Sequence, residues 1–411
     1  MIELAAERGG YGAVTVSKVV ARARVSPRSF YEHFKDKDEC FLATYDAIAL
    51  RSARRIGDAQ VGMRDWRQRL ALAFRTWTNG IAGQPKMARL ALIEAFAGGP
   101  AALARMRRAE EMFEAMIACS FARAPDRLAV PPLLVKGIVA GVHRVARARL
   151  LAGRASELPD LAEELLEWML CFRCDAAALA RLRFFALAAQ PGAKAVRAEQ
   201  RGDTAGGGTD DRTRILDAVE RLAASEGYWR LTVPRIRTAA GISRGCFDEH
   251  FADVQHCFVA TLERHAELMR AHSVAAGTRA RTWPGTLHRA MHALCAYVAA
   301  NPAPSRLVFT EILAPGPDGM RHRERLIAKA AETLRTSGPA GQRPSELAAE
   351  ASAGAVWGLV DRHIASGHAR RLPRIAPTLS FLAASPAIGA QGALAAIAAE
   401  HGRMAASDVL A

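Results

Sequence analysis

Residues 15–41 read TVSKVVARARVSPRSFYEHFKDKDECF, and this segment shows the clearest succession of helix starts in the chain. Thr15 can cap a short helix whose valines follow at helical spacing. Ser26 and Pro27 mark a second helix start, because serine is a preferred N-cap and proline fits the first helical position. The stretch therefore predicts two short helices joined by a tight turn, which is the design of a helix-turn-helix.

A third helix start follows directly. Asp36 and Glu39 form a capping-box-like pattern, so the second short helix ends near Phe34. That short helix carries polar side chains beside the apolar Phe30 and Phe34. Its polar face is the one that would enter the major groove of DNA.

The same pattern returns at a constant offset (232 − 15 = 217), where residues 232–258 read TVPRIRTAAGISRGCFDEHFADVQHCF. The register extends far beyond this segment, through the pairs Glu94 and Glu311, Gly99 and Gly316, Gly137 and Gly354, and Gly141 and Gly358. A period this long indicates a duplicated domain rather than a solenoid repeat.

In this region the sequence resembles the DNA-binding head of the tetracycline-repressor (TetR) family, whose pattern runs Thr-Val, Ile-Ala, Ala-Gly-Val-Ser, Phe-Tyr-x-His-Phe, then a lysine before leucine. The corresponding residues are Thr15-Val16, Val19-Val20, Ala23-Arg24-Val25-Ser26, Phe30-Tyr31-Glu32-His33-Phe34 and Lys37. The resemblance implies a bacterial, cytoplasmic transcription regulator that binds a double-stranded DNA operator. Repression that a small-molecule ligand releases is the default mode of that family.

The resemblance also implies roles for individual residues. Pro27, Arg28 and Ser29 would lie near base edges, while Tyr31, His33 and Lys37 would contact phosphates. The full predicted DNA-binding set is Thr15, Ser26, Pro27, Arg28, Ser29, Tyr31, His33 and Lys37 in the first copy, with Thr232, Arg235, Ser243, Arg244 and His250 in the second.

The first copy departs from the family pattern in two places. Met1 aligns with Ala218, so most of the first helix of the head would precede the start of this sequence. Arg24 stands where the turn usually has glycine, whereas Gly241 keeps the glycine in the second copy. The missing helix means either that the true start lies further upstream or that the first head is less stable. At the turn, only glycine adopts a positive φ at little cost.

The second copy departs on the surface that would face DNA. Asp248 replaces Tyr31 and Val254 replaces Lys37, so phosphate contacts give way to repulsion or to nothing. Gly245 also weakens the recognition helix. Our hypothesis is that the first head binds DNA well and the second binds weakly or with a different specificity.

The fold class predicted for the whole chain is all-α, because helix formers abound and aromatic residues make up only 6% of the sequence. We expect two tandem TetR-like units, each a helix-turn-helix head followed by a helical bundle for ligand binding and dimerisation. The boundaries are 1–48 (first head), 49–189 (first bundle), 190–208 (a glycine-rich flexible linker), 209–265 (second head) and 266–411 (second bundle). By the family resemblance, the subunit-interface helices would be 133–153, 159–188, 345–367 and 373–402.

Charge and cysteine content indicate the kind of partner and the cellular compartment. The net charge of +15 and the pI near 10.1 suit a polyanionic partner, although a basic composition also arises from high-GC codon usage. Seven cysteines in so long a chain do not form a disulfide framework, which indicates a reducing compartment. We interpret Cys171 and Cys174 as helix core. No signal peptide or membrane span is expected.

Aromatic side chains and one methionine in the bundles are candidates for lining a ligand cavity, with core packing as the alternative for each one. The candidates are Trp66, Phe74, Trp77, Phe96, Met112, Phe113 and His143 in the first bundle, with Trp283, Tyr297, Phe309 and Trp357 in the second. The expected effector is apolar or amphipathic. His288 and His292 have a spacing suited to a metal, but without a third ligand we expect neither a metal nor a cofactor.

Three arrangements remain open from the sequence. The two units can pair within one chain and read two half-sites, or two whole chains can pair so that the first head is supplied twice. The third is a helical ligand-binding module without DNA affinity. An enzyme is not expected, because the chain has no phosphate loop, no G-x-S-x-G and no H-E-x-x-H.

Overall fold

The computed structural model of the chain describes residues 1–182 and 210–409, except residues 8, 126–127, 129, 176 and 179. In these residues the regular structure is helical and no β-strand occurs, which confirms the predicted all-α class. The proposed linker at 190–208 lies outside the described residues.

The N-terminal half begins with a single helical turn of four residues. Its helices are α1 (Ile2–Ala5), α2 (Val16–Ala23), α3 (Pro27–His33), α4 (Lys37–Ala59), α5 (Trp66–Gly83), α6 (Pro85–Leu92), α7 (Gly99–Ala122), α8 (Pro132–Leu151) and α9 (Ala162–Leu170). Helices α2 and α3 form the head with the start of α4, and the later helices form a bundle.

The C-terminal half follows the same order of elements, except that its first helix is longer, with 16 residues. Its helices are α10 (Asp211–Glu226), α11 (Val233–Ala240), α12 (Arg244–His250), α13 (Val254–Gly277), α14 (Trp283–Ala300), α15 (Pro302–Phe309), α16 (Pro317–Ser337), α17 (Glu346–Ala365) and α18 (Ala376–Val409). Each helix from α11 to α15 begins at the same offset from its counterpart in the series α2 to α6, as in 233 − 16 = 217.

The two halves pack against each other through α8 and α17, and glycines allow the close approach. A Cβ atom added at Gly141 would lie 2.5 Å from the carbonyl oxygen of Ala351, and one added at Gly358 would lie 2.4 Å from Cβ of Ala140. No side chain fits at such distances, so these glycines are needed for the helices to touch. They belong to the glycine pairs that recur in the sequence.

Buried ion pairs join the halves beside these glycines. Arg144 pairs with Glu350 and lies 3.1 Å from a carboxylate oxygen of Glu324, while Arg149 lies 3.0 Å from Glu350. The Arg144 side chain is only 4% exposed. Because an unpaired charge at this depth costs several kcal/mol, roughly 3–5, each partner requires the others.

One apolar segment, Ala369–Ala406, is long and apolar enough to cross a membrane by length and composition. About 44% of its most apolar window is buried inside the protein. Its chain is broken at Gly389, where φ is 72° and the backbone is not helical. The segment packs on α14 as part of the second bundle.

Candidate DNA-binding heads and ligand cavity

The first head is built by local capping interactions. Oγ1 of Thr15 accepts a hydrogen bond from the backbone N–H of Lys18 at 3.3 Å, and Oγ of Ser26 accepts one from the N–H of Ser29 at 3.0 Å. Between the two helices Arg24 adopts φ 56° and ψ 42°, the left-handed conformation that favours glycine. The tight turn predicted between the two helices is therefore present, with Arg24 in the left-handed conformation.

The apolar face of the head is buried, which fixes the orientation of its polar face. Phe30 is 4% exposed and Phe41 only 1%. The ring of Tyr11 lies 4.3 Å from that of Phe41, centre to centre. With these rings inside, the opposite side of α3 must point to solvent.

The structure brings together on this outer side the residues expected to meet DNA. The Arg28 side chain is 91% exposed, and Tyr31 is 58% exposed. Pro27 and His33 are also exposed, and Ser29 is half-buried. Such an exposed aromatic ring beside an exposed guanidinium is suited to contacts with a phosphate backbone and base edges.

Lys37 has contacts within the head that the sequence did not predict. Its Nζ donates a hydrogen bond to the carbonyl oxygen of Val14 at 3.2 Å and lies 4.7 Å from the centre of the Tyr11 ring. These contacts hold the ammonium group at the start of α4, near the edge of the head. Any contact of Lys37 with a phosphate would have to be made from this position.

The second head repeats the scaffold with one difference in capping. Thr232 occupies the N-cap position, but its side chain makes no capping hydrogen bond, contrary to the expectation that it caps the helix. Pro234, at the second helical position, has no N–H to offer. Ser243 accepts a hydrogen bond from the N–H of Cys246 at 3.1 Å, and Gly241 adopts φ 65°.

The polar face of the second head is partly occupied by its own carboxylates. Arg244 is 80% exposed and lies 3.5 Å from Asp248 on the same helix. Arg235 pairs with Glu226, so this arginine is already engaged. His250 is exposed. Arg28 of the first head is likewise paired, with Glu32 at 3.2 Å, so the heads differ in their number of cations rather than in this pairing.

Formal charges express the same difference. The segment 22–37 has five basic and two acidic residues, a net charge of +3. The matching segment 239–254 has one basic and three acidic residues, a net charge of −2. Phosphates therefore attract the first segment more strongly than the second.

Comparison with known proteins agrees with the geometry of the first head. Residues 2–44 match the family described as bacterial regulatory proteins, tetR family. These residues form a TetR-family N-terminal helix-turn-helix domain. The match covers the TetR-type head alone, and the bundles lie outside it.

Two curated relatives match the same region. The HTH-type transcriptional repressor Rv1474c of Mycobacterium tuberculosis is 40% identical over 60 residues, which is 15% of this chain and 32% of that protein. The HTH-type transcriptional repressor AcnR of Corynebacterium glutamicum is 38% identical over 61 residues, again 15% and 32%. The chain thus spans about a third of the length of these relatives.

The TetR-type head is tied to its bundle by a buried carboxylate that sequence reasoning missed. Oε2 of Glu94 accepts a hydrogen bond from the N–H of Tyr11 at 2.9 Å, and its Oε1 lies 3.1 Å from Nε of Arg89. Burial raises the pKa of Glu94, while Tyr11 and Arg89 oppose that shift. In the sequence, the role of Glu94 was indicated only by its recurrence as Glu311 in the second copy.

A cavity of about 340 Å³ lies among α4 to α8, behind the TetR-type head. Of the predicted pocket residues, Trp77, Met112, Phe113 and His143 line it. Helix α4 contributes much of another wall, including Tyr45 and Ile56, although its first turns belong to the head. The lining is mainly apolar, so the cavity suits an apolar or amphipathic molecule.

The structure places the other predicted pocket residues elsewhere. Phe74 lines an adjoining space of about 20 Å³. The rest pack against neighbours: Trp66 on Phe121 and Arg173, Phe96 beneath Arg147 and Arg323, Trp283 on Ser337, Tyr297 beside His272, and Phe309 on Trp357.

The inner wall of the cavity contains charged groups that reach the other half. Glu110 lies 3.7 Å from Nδ1 of His143 and 3.2 Å from Arg362, which comes from α17. Burial raises the pKa of Glu110, but His143, Arg362 and Arg147 outweigh it and hold the pKa below its ordinary value. A ligand that touches Glu110 would therefore disturb the contact between the halves.

Two further sequence expectations concern metals and thiols. Cys171 and Cys174 are free and follow α9 rather than lying within a helix, which corrects the helical part of their assignment. They are nevertheless core residues, because Cys174 is buried and Cys171 packs against the same cluster. Burial raises the pKa of both thiols, to about 12 and about 11. His288 and His292, which lacked a third partner in the sequence, lie beside His401.

Proposed function

We propose that this chain is a cytoplasmic, sequence-specific DNA-binding transcription regulator without enzymatic activity, and that its default action is repression. The observation that carries the proposal is the exposed face of α3 in a domain that matches the TetR family. Arg28 and Tyr31 project from that face while Phe30 anchors it. Two relatives with a similar head are named transcriptional repressors, which supports the same assignment.

We further propose that the chain consists of two tandem units, 1–189 and 209–411, that form a pseudo-dimer within one polypeptide. The matching order of helices in the two halves supports this arrangement. So does the packing of α8 on α17 through recurring glycines such as Gly141 and Gly358. A helix-turn-helix dimer reads two half-sites about 34–36 Å apart, and diverged halves would read an asymmetric operator.

The alternative within DNA binding is that only the first head contacts DNA and two chains pair. The charge contrast between segments 22–37 and 239–254 favours this reading, because a surface of net charge −2 would gain little from phosphates. The packed face between α8 and α17 favours the pseudo-dimer, because it is already occupied within one chain.

The mass of the complex in solution decides between these arrangements. The purified chain would be measured by light scattering, free and bound to DNA from its own upstream region, with Arg28→Ala as the matched control. One chain per operator supports the pseudo-dimer, and two chains support pairing between polypeptides. If the chain shifts no upstream fragment at all, the protein is a ligand-binding module and the proposal fails.

We propose that a small apolar or amphipathic effector in the 340 Å³ cavity releases the DNA. Helix α4 joins the two sites, since Phe41 packs in the head and Ile56 lines the cavity. The hydrogen bond between Glu94 and Tyr11 is a second connection between the head and the cavity. Glu94 directly follows α6, and α6 forms another wall of the cavity. Occupying the cavity would favour a spacing of the heads that no longer fits successive grooves.

A variant that fills the cavity tests this coupling without an identified effector. Ala109 lines the cavity, so Ala109→Phe should mimic a bound ligand and weaken operator binding severalfold. Ala104 lies on the same helix but is exposed, so Ala104→Phe is the matched control. If both variants keep wild-type helicity and bind the operator equally well, the proposed coupling between cavity and head is wrong. The proposal that the chain binds DNA would not be affected.

A further inference from the structure

Three histidines meet inside the second bundle, and none of them lines the apolar cavity of the first. His288 and His292 lie one turn apart on α14, and His401 lies in the last part of α18. One ring nitrogen from each can be chosen so that all three lie within 4.8 Å of one another. His288 is fully buried and the other two are half-buried.

The break in α18 brings the third histidine into place. His288 contacts Ser380 before Gly389 and stands 5.9 Å, ring to ring, from His401 after it. A straight helix would separate residues 380 and 401 by about 30 Å, so the non-helical backbone at Gly389 must return the chain to α14. Glycine is suited to this position because φ is 72°.

Hydrogen bonding fixes which nitrogen of His288 can bind an ion. The single hydroxyl proton of Ser380 is donated to the carbonyl oxygen of Ala376 at 2.8 Å. Ser380 must therefore accept from Nδ1–H of His288, 3.0 Å away, which leaves a lone pair on Nε2. This Nε2 is buried without a hydrogen-bond partner, and so is Nε2 of His292.

A separate ion-pair cluster secures the last segment next to the histidines. Glu400, only 1% exposed, pairs with Arg289 of α14 and lies 3.0 Å from Nε of Arg403. These arginines occupy the carboxylate, so the acidic residue that directly precedes His401 is already neutralised. The fold thus holds the three imidazoles together, with two buried nitrogens, Nε2 of His288 and of His292, that lack the partner a buried polar atom requires.

We propose that His288, His292 and His401 bind one divalent transition-metal ion, with zinc as the expected occupant. Three neutral imidazoles and an open fourth position for water form a donor set that zinc accepts, and Ser380 orients one ligand from outside. Zinc–nitrogen bonds of about 2.1 Å place the nitrogens about 3.4 Å apart, so the rings must close by roughly an ångström.

The bound ion would join α14 to the end of the chain. In the first half, the positions that correspond to His288 and His292 are Ala71 and Arg75, neither of which binds a metal, so the site belongs to the second half alone. This proposal does not depend on DNA binding. It assigns the second bundle a ligand chemistry different from that of the apolar cavity in the first.

Zinc titration of the untagged full chain tests the site. After treatment with a chelator, the protein would compete for Zn²⁺ with a chromophoric chelator, and Co²⁺ would report ligand geometry through its visible bands. We expect one zinc per chain, and at least a tenfold loss of affinity in His292→Ala and in His401→Ala. His256→Ala is the matched control, because His256 is an exposed histidine on another helix.

Cys119 is an exposed thiol, so Cys119→Ser is included to exclude a surface site. His401→Gln, of similar size, serves if an alanine variant loses helicity, and a zinc-dependent rise in the Tm of the wild type is a second readout. Absence of zinc binding below millimolar concentration would overturn the proposal. Unchanged binding in folded His292 and His401 variants would do the same.

Discussion

The two heads have nearly the same scaffold, but their matching surface segments 22–37 and 239–254 have net charges of opposite sign. Phe30 and its counterpart Phe247 are both buried, and both turns have a left-handed residue after the first short helix. On the outer side, however, exposed Tyr31 corresponds to exposed Asp248. The residues that stabilise the helix-turn-helix and those predicted to contact DNA therefore lie on different faces, so one set can be kept while the other differs.

The largest expected difference between the heads concerns the exposed arginines. Arg28→Ala should lower operator affinity by about 30-fold, equivalent to about 2 kcal/mol, because a contact to a base edge is lost. Arg244→Ala should lower it less than threefold, since the segment around Arg244 has a net charge of −2 and gains little from phosphates. The ion pairs do not separate the two arginines, because Arg28 lies 3.2 Å from Glu32 and Arg244 lies 3.5 Å from Asp248. Fluorescence anisotropy with labelled operator DNA at fixed salt measures both.

Tyr31→Ala serves as a second probe of the first head. If Tyr31→Ala binds the operator as tightly as wild type, the hypothesis that this head supplies the main contacts is wrong. Equal losses for Arg28→Ala and Arg244→Ala would show instead that both heads engage the operator in the same way.

Exchanging the surface residues should reduce the contrast. Asp248→Tyr with Val254→Lys, made in an Arg28→Ala background, should restore about tenfold in affinity by removing a repulsive charge and adding a cation. The salt dependence should steepen by about one unit of slope for each additional phosphate that the protein neutralises. The reverse exchange, Tyr31→Asp with Lys37→Val, is the control and should abolish specific binding; no change in salt dependence would argue against the electrostatic account.

A smaller effect is expected at the turns. Arg24 adopts φ 56°, so Arg24→Gly should stabilise the first head by about 1 kcal/mol by relieving the left-handed strain. Gly241→Arg should destabilise the second by a similar amount, since an added Cβ would meet nothing within 4 Å and only the backbone is affected. Thermal unfolding measures both shifts, and shifts of the same sign would contradict this reasoning.

The smallest effect concerns the caps. Thr15→Ala should cost about 0.5 kcal/mol because it removes the hydrogen bond from Lys18 N–H. Thr232→Ala should cost clearly less, as Thr232 makes no capping hydrogen bond. Unfolding midpoints of the two variants give the comparison. If Thr232→Ala proves the more costly, the helix start in the second head must depend on other contacts of that side chain.

The heads could be predicted in detail because their structure is determined locally. The serine N-cap, the left-handed Arg24 and the start of α4 are each specified by residues within one or two turns. The glycines of α8 and α17 were visible as a recurring pair, although their role in helix contact was not.

The rest depends on residues distant in sequence. His401 follows His292 only after four further helices have begun, and no local pattern shows that a break at Gly389 returns it. The link from Glu94 to Tyr11 is of the same kind. Among aromatic residues, burial alone cannot separate those that fill a core from those that line a space, because both require an apolar side chain at the same helical spacing.

The pairing of Arg144 with Glu350 is not reciprocal between the halves. The residues that correspond to this pair in the opposite halves are Asp361 and Leu133, which cannot form the same ion pair. Two copies of one half would therefore leave a buried charge uncompensated, whereas the natural partner is always present on the same polypeptide. Assembly of the proposed pseudo-dimer would not weaken on dilution, so a cell could maintain its operator occupancy with only a few molecules of the regulator.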